Sequence, residues 1–400
     1  MNSINELIAL GREKGASDLH LEPGSPSVFR IRGELVSLGE VWTGESLHQI
    51  AKQVLGTVLW EDFTIKRSAD LSKTISGTRC RINCFQTIKG ISFSIRLLSS
   101  FKNNLRACNL IPDLKKLIEH ETGLILVSGP TGSGKSTTLA ALIEEINSSQ
   151  KKNIITVESP IEYFYQNKMS FIRQREIPHH SPSFEQAITD SMREDPDVLI
   201  IGEMRTPDVM RLTLNAAETG HLVLATVHSS TCAEAVSRLC MSFTGDMQPS
   251  IRAQIADCLV AVVCQRLTYL PQYKIQVPVL EIMMANSAVK SGIRQGNLSQ
   301  LNSAIQTGGE DGMWAFDRYR RWVDAKKDWV RPSDVQPLDD HKDMIRDAPV
   351  IAPLKVSAPS SSRPKVSSPS VVSPSQTDRI EISVADDDLE ELAKKIAEEE

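Results

Sequence analysis

Residues 123 to 137 read Gly-Leu-Ile-Leu-Val-Ser-Gly-Pro-Thr-Gly-Ser-Gly-Lys-Ser-Thr and lead into Thr138-Leu-Ala-Ala-Leu-Ile-Glu-Glu-Ile146. The order is apolar strand, glycine-rich loop, helix. The loop residues Gly129, Pro130, Thr131, Gly132, Ser133, Gly134, Lys135, Ser136 and Thr137 follow the pattern G-x-x-x-x-G-K-[ST]. Gly129 and Gly134 let the backbone curl so that its N–H groups and the helix N-terminus face phosphate oxygens. Lys135 then reaches the β- and γ-phosphates and Ser136 holds Mg²⁺. The bare pattern arises by chance in roughly one chain in a hundred at average residue usage, so the flanks decide. Both flanks fit, and the segment implies a site for ATP or GTP.

Outward from the loop, apolar strand candidates at Gly123–Ser128, 154 to 157, Val198–Ile201 and Leu222–Val227 alternate with helical stretches. That alternation predicts an α/β domain over 113–338, a parallel sheet covered by helices. Residues 1–98 differ: an amphipathic helix at 4 to 14 precedes strands at 27 to 32, 78 to 85 and Gly90–Leu97, several with period-two alternation, and Gly33-Glu34 reads as a tight hairpin turn. This predicts a smaller α+β domain, with 99–112 as a polar linker. Residues 339–385 include a Pro/Ser-rich run that cannot bury enough apolar area to offset its ordering entropy, and read as a disordered linker. Residues 386–400 carry Leu389, Leu392, Ala393 and Ile396 on one helical face behind three aspartates. They read either as a docking helix or as a solvated acidic tail.

Residues 378 to 400 hold ten acidic and three basic groups, a balance of −7, so the remainder of a chain of net charge −5 stands at +2. A near-neutral body gives no compositional reason to expect nucleic acid as a direct partner. Seven cysteines form no C-x-x-C pair, which argues against a zinc ribbon or a disulfide framework and fits a reducing cytoplasm. No run approaches the ~20 apolar residues of a bilayer span, so membrane association is expected only through partners.

Hydrolysis needs an oriented water and stabilised charge besides a phosphate cradle. Asp197-Val-Leu-Ile-Ile-Gly-Glu203 is an apolar strand ending in a carboxylate, which makes Glu203 the first choice for polarising the attacking water. Asn153-Ile-Ile-Thr-Val-Glu-Ser-Pro-Ile-Glu162 sets Glu158 and Glu162 at a strand's C-terminal end, where open parallel sheets bind ligands and where both acids can act on Mg²⁺ or its waters. His221 and His228 bracket a third strand, placed to sense the γ-phosphate or to link the site to a neighbour. Taken singly, an acid or histidine at a strand end is more often a solvated loop residue. Arg79, Arg81 and Arg96 lie on strands of the small domain, with Arg79 and Arg81 sharing a face. They read as surface ion pairs or as arginine fingers reaching a nucleotide across a domain or subunit boundary.

The phosphate loop, Val157-Glu-Ser-Pro-Ile-Glu162, Arg193-Glu-Asp-Pro-Asp-Val-Leu-Ile-Ile-Gly-Glu-Met-Arg205, Ala216-Ala-Glu-Thr-Gly-His221, Ala225-Thr-Val-His228 and Ser303-Ala-Ile-Gln-Thr-Gly-Gly309 together resemble the secretion-ATPase superfamily. They look like its PilT-like type IV pilus retraction branch. Gly15-Ala-Ser-Asp-Leu-His-Leu21 and Arg79-Cys-Arg-Ile-Asn-Cys-Phe85 resemble it too, and the likeness covers nearly all of residues 1 to 335.

The resemblance implies an N-terminal PAS-like domain joined to a RecA-like ATPase domain. It further implies a homo-hexameric ring on the cytoplasmic face of the inner membrane that uses ATP and Mg²⁺. The implied work is pilus retraction, meaning pilin disassembly and twitching motility, with an inner-membrane platform protein and a sister pilus ATPase as partners. Lys135 and Ser136 match the family's Walker A pair, Glu203 its catalytic glutamate, Glu158 and Glu162 its acidic box, and His221 and His228 its histidine box. Arg79, Arg81 and Arg96 align with the region that supplies its nucleotide-facing arginines.

Three departures stand out: Ser159 where the pattern commonly has Asp, Lys290 and Gln295 where the retraction branch has Arg and Glu, and the tail beyond about residue 339. The four-cysteine insertion usual in extension ATPases is missing, which favours retraction. A related motor of a conjugative or type IV secretion apparatus remains an alternative. So does a slow-turnover nucleotide-binding accessory subunit.

Overall fold

The computed structural model describes residues 4–31, 33–98 and 104–331. The expected segments 339–385 and 386–400 lie outside the described residues.

The chain opens with α1 (Ile4–Glu13), β1 (Ala16–Leu21), β2 (Ser27–Ile31), β3 (Glu34–Leu38), α2 (Gly44–Lys66), β4 (Ser68–Ile75), β5 (Thr78–Thr87) and β6 (Gly90–Leu97). These strands form an antiparallel sheet in the order β3-β2-β1-β6-β5-β4. Alternation does the sorting: Cys80, Ile82 and Cys84 of β5 turn into a core with Phe29, Phe93 and Ile95. Ile4, Leu7 and Ile8 of α1 and Leu47, Ala51 and Phe63 of α2 complete that core. Arg79, Arg81 and Asn83 therefore fall on the opposite face. Ile31 pairs with Glu34, so Glu34, expected in the hairpin turn, is the first residue of β3, and Gly33 before it has φ 90°.

Residues 104–111, expected as polar linker, are partly core. Leu105, Leu110 and Ile111 are buried with the following 3-10 helix (Pro112–Glu119), and the Asn109 amide exchanges two hydrogen bonds with the backbone of Val330. The polar residues of this stretch supply turns and clamps while its three aliphatics anchor it.

The second domain runs β7 (Gly123–Ser128), α3 (Lys135–Ser149), β8 (Asn153–Glu158), β9 (Phe171–Glu176), α4 (Phe184–Ser191), β10 (Val198–Ile201), α5 (Pro207–Glu218) and β11 (Leu222–Val227). It continues through α6 (Cys232–Met241), α7 (Gln248–Cys258), β12 (Leu259–Leu270), β13 (Ile275–Met284), α8 (Ser287–Gln295), α9 (Leu298–Thr307) and α10 (Phe316–Ala325). The sheet order is β13-β12-β7-β11-β10-β8-β9. Its strands are parallel except for β13, which returns antiparallel along β12.

Both faces are covered. Leu124, Leu126, Leu199, Ile201, Val223 and Ala225 enter one core, whereas Ile125, Val127, Val198, Ile200, Leu222 and Leu224 enter the other. This double burial is why the strands read as unbroken apolar runs rather than alternating ones. The consequence for the site is that β7, β8, β10 and β11 all end at one edge of the sheet.

Candidate nucleotide site

The loop after β7 begins with Gly129 at φ 147°, where any Cβ would collide with the Gln265 carbonyl and Ser133 Oγ. Only glycine fits there. The loop closes into the N-terminus of α3, which presents Lys135 and a solvent-exposed Ser136. Thr131, Gly132, Lys135 and Ser136 line a cleft of about 280 Å³ whose other walls carry Glu158, Glu162, Glu203, His228 and Arg81. Thr137 turns aside to Tyr163 Oη at 3.0 Å, and Ser133 is buried beneath the loop.

The main chain holds Glu203 from two sides. The Gly202 N–H donates to the Val157 carbonyl at 2.8 Å and the Met204 N–H to the Thr226 carbonyl at 3.0 Å, which ties the residue between the ends of β8 and β11. Its carboxylate accepts from His228 Nε2 at 2.9 Å and from an Arg205 guanidinium N–H at 2.7 Å. On the other side of the ring, Lys135 Nζ approaches His228 Nδ1 at 3.3 Å while also donating to the Gly129 and Pro130 carbonyls. An ammonium only donates and a carboxylate only accepts, so the neutral Nε2–H imidazole satisfies both neighbours. The result is a directed line, Lys135 to His228 to Glu203.

Charge follows the geometry. Partial burial favours the neutral form of Glu203, but the Arg205 hydrogen bond and charge, with the Lys135 charge beyond, outweigh it and keep the pKa below the ordinary carboxylate value. Burial lowers the pKa of Lys135, against the opposing pull of Glu203. Glu158 behaves oppositely. Burial pushes its carboxyl up to about 7, with repulsion from Glu162 and Glu176 adding to the rise, although Thr156 Oγ1 (2.7 Å) and Gln174 Nε2 (3.3 Å) donate to it. Two acids of one cleft are thus driven apart in proton affinity, an arrangement typical of sites that move protons.

The structure does not gather all the expected residues. His221 precedes β11 and His228 follows it, so the two lie at opposite ends of a six-residue strand, roughly 20 Å apart. His221 Nδ1 instead faces the Ala216 carbonyl at 3.0 Å, at the edge away from the phosphate loop. The expectation that His221 senses the γ-phosphate within its own subunit is corrected by strand direction.

The three arginines also separate. Arg81 lines the cleft. Arg79, nearly buried, pairs with Glu176 at 2.6 Å, lies 4.7 Å over the Phe164 ring and directs Nε at the Ile161 carbonyl. Glu176 in turn accepts from the Ile161 N–H. Arg79 therefore joins the small domain to the loop carrying Glu162. Arg96 is exposed and bonded to Asp18 at 3.0 Å, on the same sheet.

Residues overlooked by the sequence reading are Arg205, Tyr163, Glu176 and Gln265. Arg205 stands two positions after Glu203 in the quoted motif and was legible there; the other three act through tertiary contacts. Ser159, the departure from the acidic box, donates its hydroxyl to the Ile177 carbonyl at 3.0 Å.

A model of the type II/IV secretion system protein family matches residues 2–297. The type IV pilus retraction ATPase PilT of Pseudomonas aeruginosa is 34% identical over 329 residues, covering 81% of this chain and 94% of that protein. A twitching motility protein of Neisseria gonorrhoeae is 41% identical over 240 residues, 60% of this chain and 64% of its own length. The crystal structure of the pilus retraction motor PilT with bound ADP superposes with a TM-score of 0.75 at 32% identity, over 84% of this chain and 95% of that one.

Proposed function

The chain belongs to the type II/IV secretion system protein family, and on that premise we propose that it is an ATP-hydrolysing motor that drives type IV pilus retraction. The observation that carries the proposal is the line from Lys135 through His228 to Glu203, laid across the ends of β7, β11 and β10 along one cleft. It combines a cation for the phosphates with an ionised base for water.

In this mechanism the loop N–H groups and the start of α3 receive the phosphates, and Lys135 exchanges its resting contacts with the Gly129 and Pro130 carbonyls for phosphate oxygens. Glu203, kept ionised by Arg205 and His228, orients the attacking water and accepts its proton. No group of three or more His, Cys, Asp or Glu among the described residues is arranged to hold a metal alone. That fits Mg²⁺, which binds through few protein ligands and keeps substrate phosphates and waters. The exposed Ser136 hydroxyl would hold it, with Glu162 and Glu158 toward its waters; when bound it neutralises charge on the phosphates.

Arg81 faces the same cleft from the small domain, so closure of the two domains brings a guanidinium to the nucleotide. Coupling to mechanical work follows if ATP binds the closed arrangement more tightly than the open one. The motor acts as a homo-hexamer at the cytoplasmic face of the inner membrane, on a platform protein, beside a sister ATPase. Among the described residues no helix is long and apolar enough to cross a membrane, in keeping with attachment through a partner. His221 has a place in such a ring as a contact between subunits.

The test is Mg²⁺-dependent ATP hydrolysis by the parent beside Glu203→Gln and Lys135→Ala, with oligomer size measured on the same samples. Losing the base is expected to lower turnover by roughly 10²-fold or more. Unchanged turnover in Glu203→Gln removes the proposed base. Nucleotide binding without turnover in the parent selects the accessory-subunit reading, which the missing carboxylate at Ser159 favours.

A further inference from the structure

We propose that Gln265 is a positioning residue that aims the phosphate loop, a role that rests on the nucleotide-binding reading above. Gln265 lies on β12 one residue beyond the pairing of Cys264 with Ser128, level with the point where β7 gives way to the loop. It is 2% exposed and is the buried polar residue that ends the apolar run Leu259-Val-Ala-Val-Val-Cys264. Its amide is engaged at both ends. Nε2 donates to the Ser133 carbonyl at 2.7 Å, and Oε1 accepts from the Thr138 hydroxyl at 2.5 Å.

Those two partners bracket the residues that meet phosphate. A trans peptide directs its carbonyl and its following N–H to opposite sides. Holding the Ser133 carbonyl on Gln265, beneath the loop, therefore turns the Gly134 N–H the other way, toward the cleft. The Thr138 bond fixes the first turn of α3, whose leading N–H groups have no intrahelical partner and serve as anion donors. The fit is close on both sides. Gly134 has φ 86°, and a Cβ there would come within 2.8 Å of Gln265 Nε2. At Gly129 a Cβ would strike the Gln265 carbonyl.

The neighbouring residue extends the same support to the other side of the site. Arg266 donates to the Ser230 carbonyl at 2.9 Å, two residues past His228, and lies 4.3 Å over the Phe316 ring of α10. One dipeptide of β12 thus touches both the phosphate loop and the segment carrying His228. The aim of the loop is set from the β12–β13 hairpin rather than from the loop's own sequence.

The experiment measures amide hydrogen exchange of peptides covering residues 129–138 in the full chain without nucleotide, beside ATP hydrolysis. Gln265→Met keeps length and volume but no hydrogen-bonding group. Losing two buried bonds is expected to speed exchange in that segment roughly tenfold or more and to raise KM for ATP by a similar factor, with a smaller change in kcat. Gln265→Glu keeps the acceptor for Thr138 but opposes a carboxylate to the Ser133 carbonyl, and is expected to behave likewise. Should neither fold, Thr138→Val removes one bond, with roughly threefold changes expected, and Thr138→Ser restores them. Parent-like exchange at 129–138, or an equal rise throughout the ATPase domain, overturns the proposal. A parent that hydrolyses no ATP while Gln265→Met still loosens this segment alone defeats the ATPase reading and leaves the positioning role standing.

Discussion

The floor of the cleft and its far wall are built by different means. On the floor, the phosphate loop, Glu203 and His228 all stand at the ends of buried parallel strands, and main-chain hydrogen bonds from Gly202 and Met204 fix the segment carrying Glu203 on both flanks. On the wall, Arg81 reaches the cleft from the exposed face of a separate sheet, and a prominent tie between that sheet and the 158–166 loop is the Arg79–Glu176 ion pair. A floor of interlocked strands cannot shift without breaking the sheet. A wall joined through side chains is able to move while each domain keeps its core. The division teaches where chemistry is held rigid and where a motor has room to act.

Arg79→Ala tests the wall hardest. It leaves Glu176, 4% exposed, without its guanidinium. Breaking one side of a buried pair typically costs about 3–5 kcal/mol, so a large fall in the urea midpoint is expected. Arg79→Met with Glu176→Gln removes the buried charge as well as its partner and is expected to regain much of the loss. A single variant as stable as the parent would mean that the tie between the domains lies elsewhere.

Glu158 asks the same question of the floor. Its carboxyl is raised to about 7 in the folded protein, above the ordinary value of 4.5. The folded state therefore binds the proton more tightly than the unfolded chain. The associated stability is fully present below about pH 4.5 and is lost as pH rises through 7. The shift corresponds to roughly 3 kcal/mol at most. Glu158→Gln is expected to flatten the decline between pH 5 and 8, and to be the more stable protein at pH 8. Parallel stability profiles for parent and variant would show that the site solvates Glu158 and that the two acids are not driven apart.

The floor was largely readable from sequence because its parts are contiguous: each apolar run gives a strand, and the candidate site residues stand at or shortly past its C-terminal end. Strand direction even contained the answer for His221, which precedes β11 and so falls at the wrong edge, a point that the pairing with His228 obscured. The wall was readable only in part. Period-two alternation placed Arg79 and Arg81 on one face, but which of them meets Glu176 and which meets the cleft depends on how two domains dock. Gln265 was hidden for a similar reason, since a glutamine in an apolar strand has no visible partner until β12 is laid beside β7. Several elements escaped, α2 and β13 among them. The 23-residue α2 is interrupted by Gly56 at φ 65°, which breaks its apolar spacing. The hairpin return of β13 is antiparallel in a domain whose other strand pairs are parallel.

Arg81 and Arg96 give the finest discrimination, because they are direct cross-strand partners on β5 and β6 and differ only in what they face. Arg81→Ala removes a cation from the cleft. A charged hydrogen bond of about 1.5–3 kcal/mol predicts a fall in kcat/KM of roughly tenfold to a hundredfold with little change in folding. Arg96 is 64% exposed and bonded to Asp18. Exposed pairs contribute about 0–1 kcal/mol, so Arg96→Ala is expected to move stability by no more than that and to leave kcat/KM within about twofold of the parent. The comparison breaks if Arg96→Ala lowers turnover as far as Arg81→Ala does. Arg96 then serves the cleft of an adjoining subunit, and mixing Arg96→Ala with Glu203→Gln protomers would restore activity in excess of either alone.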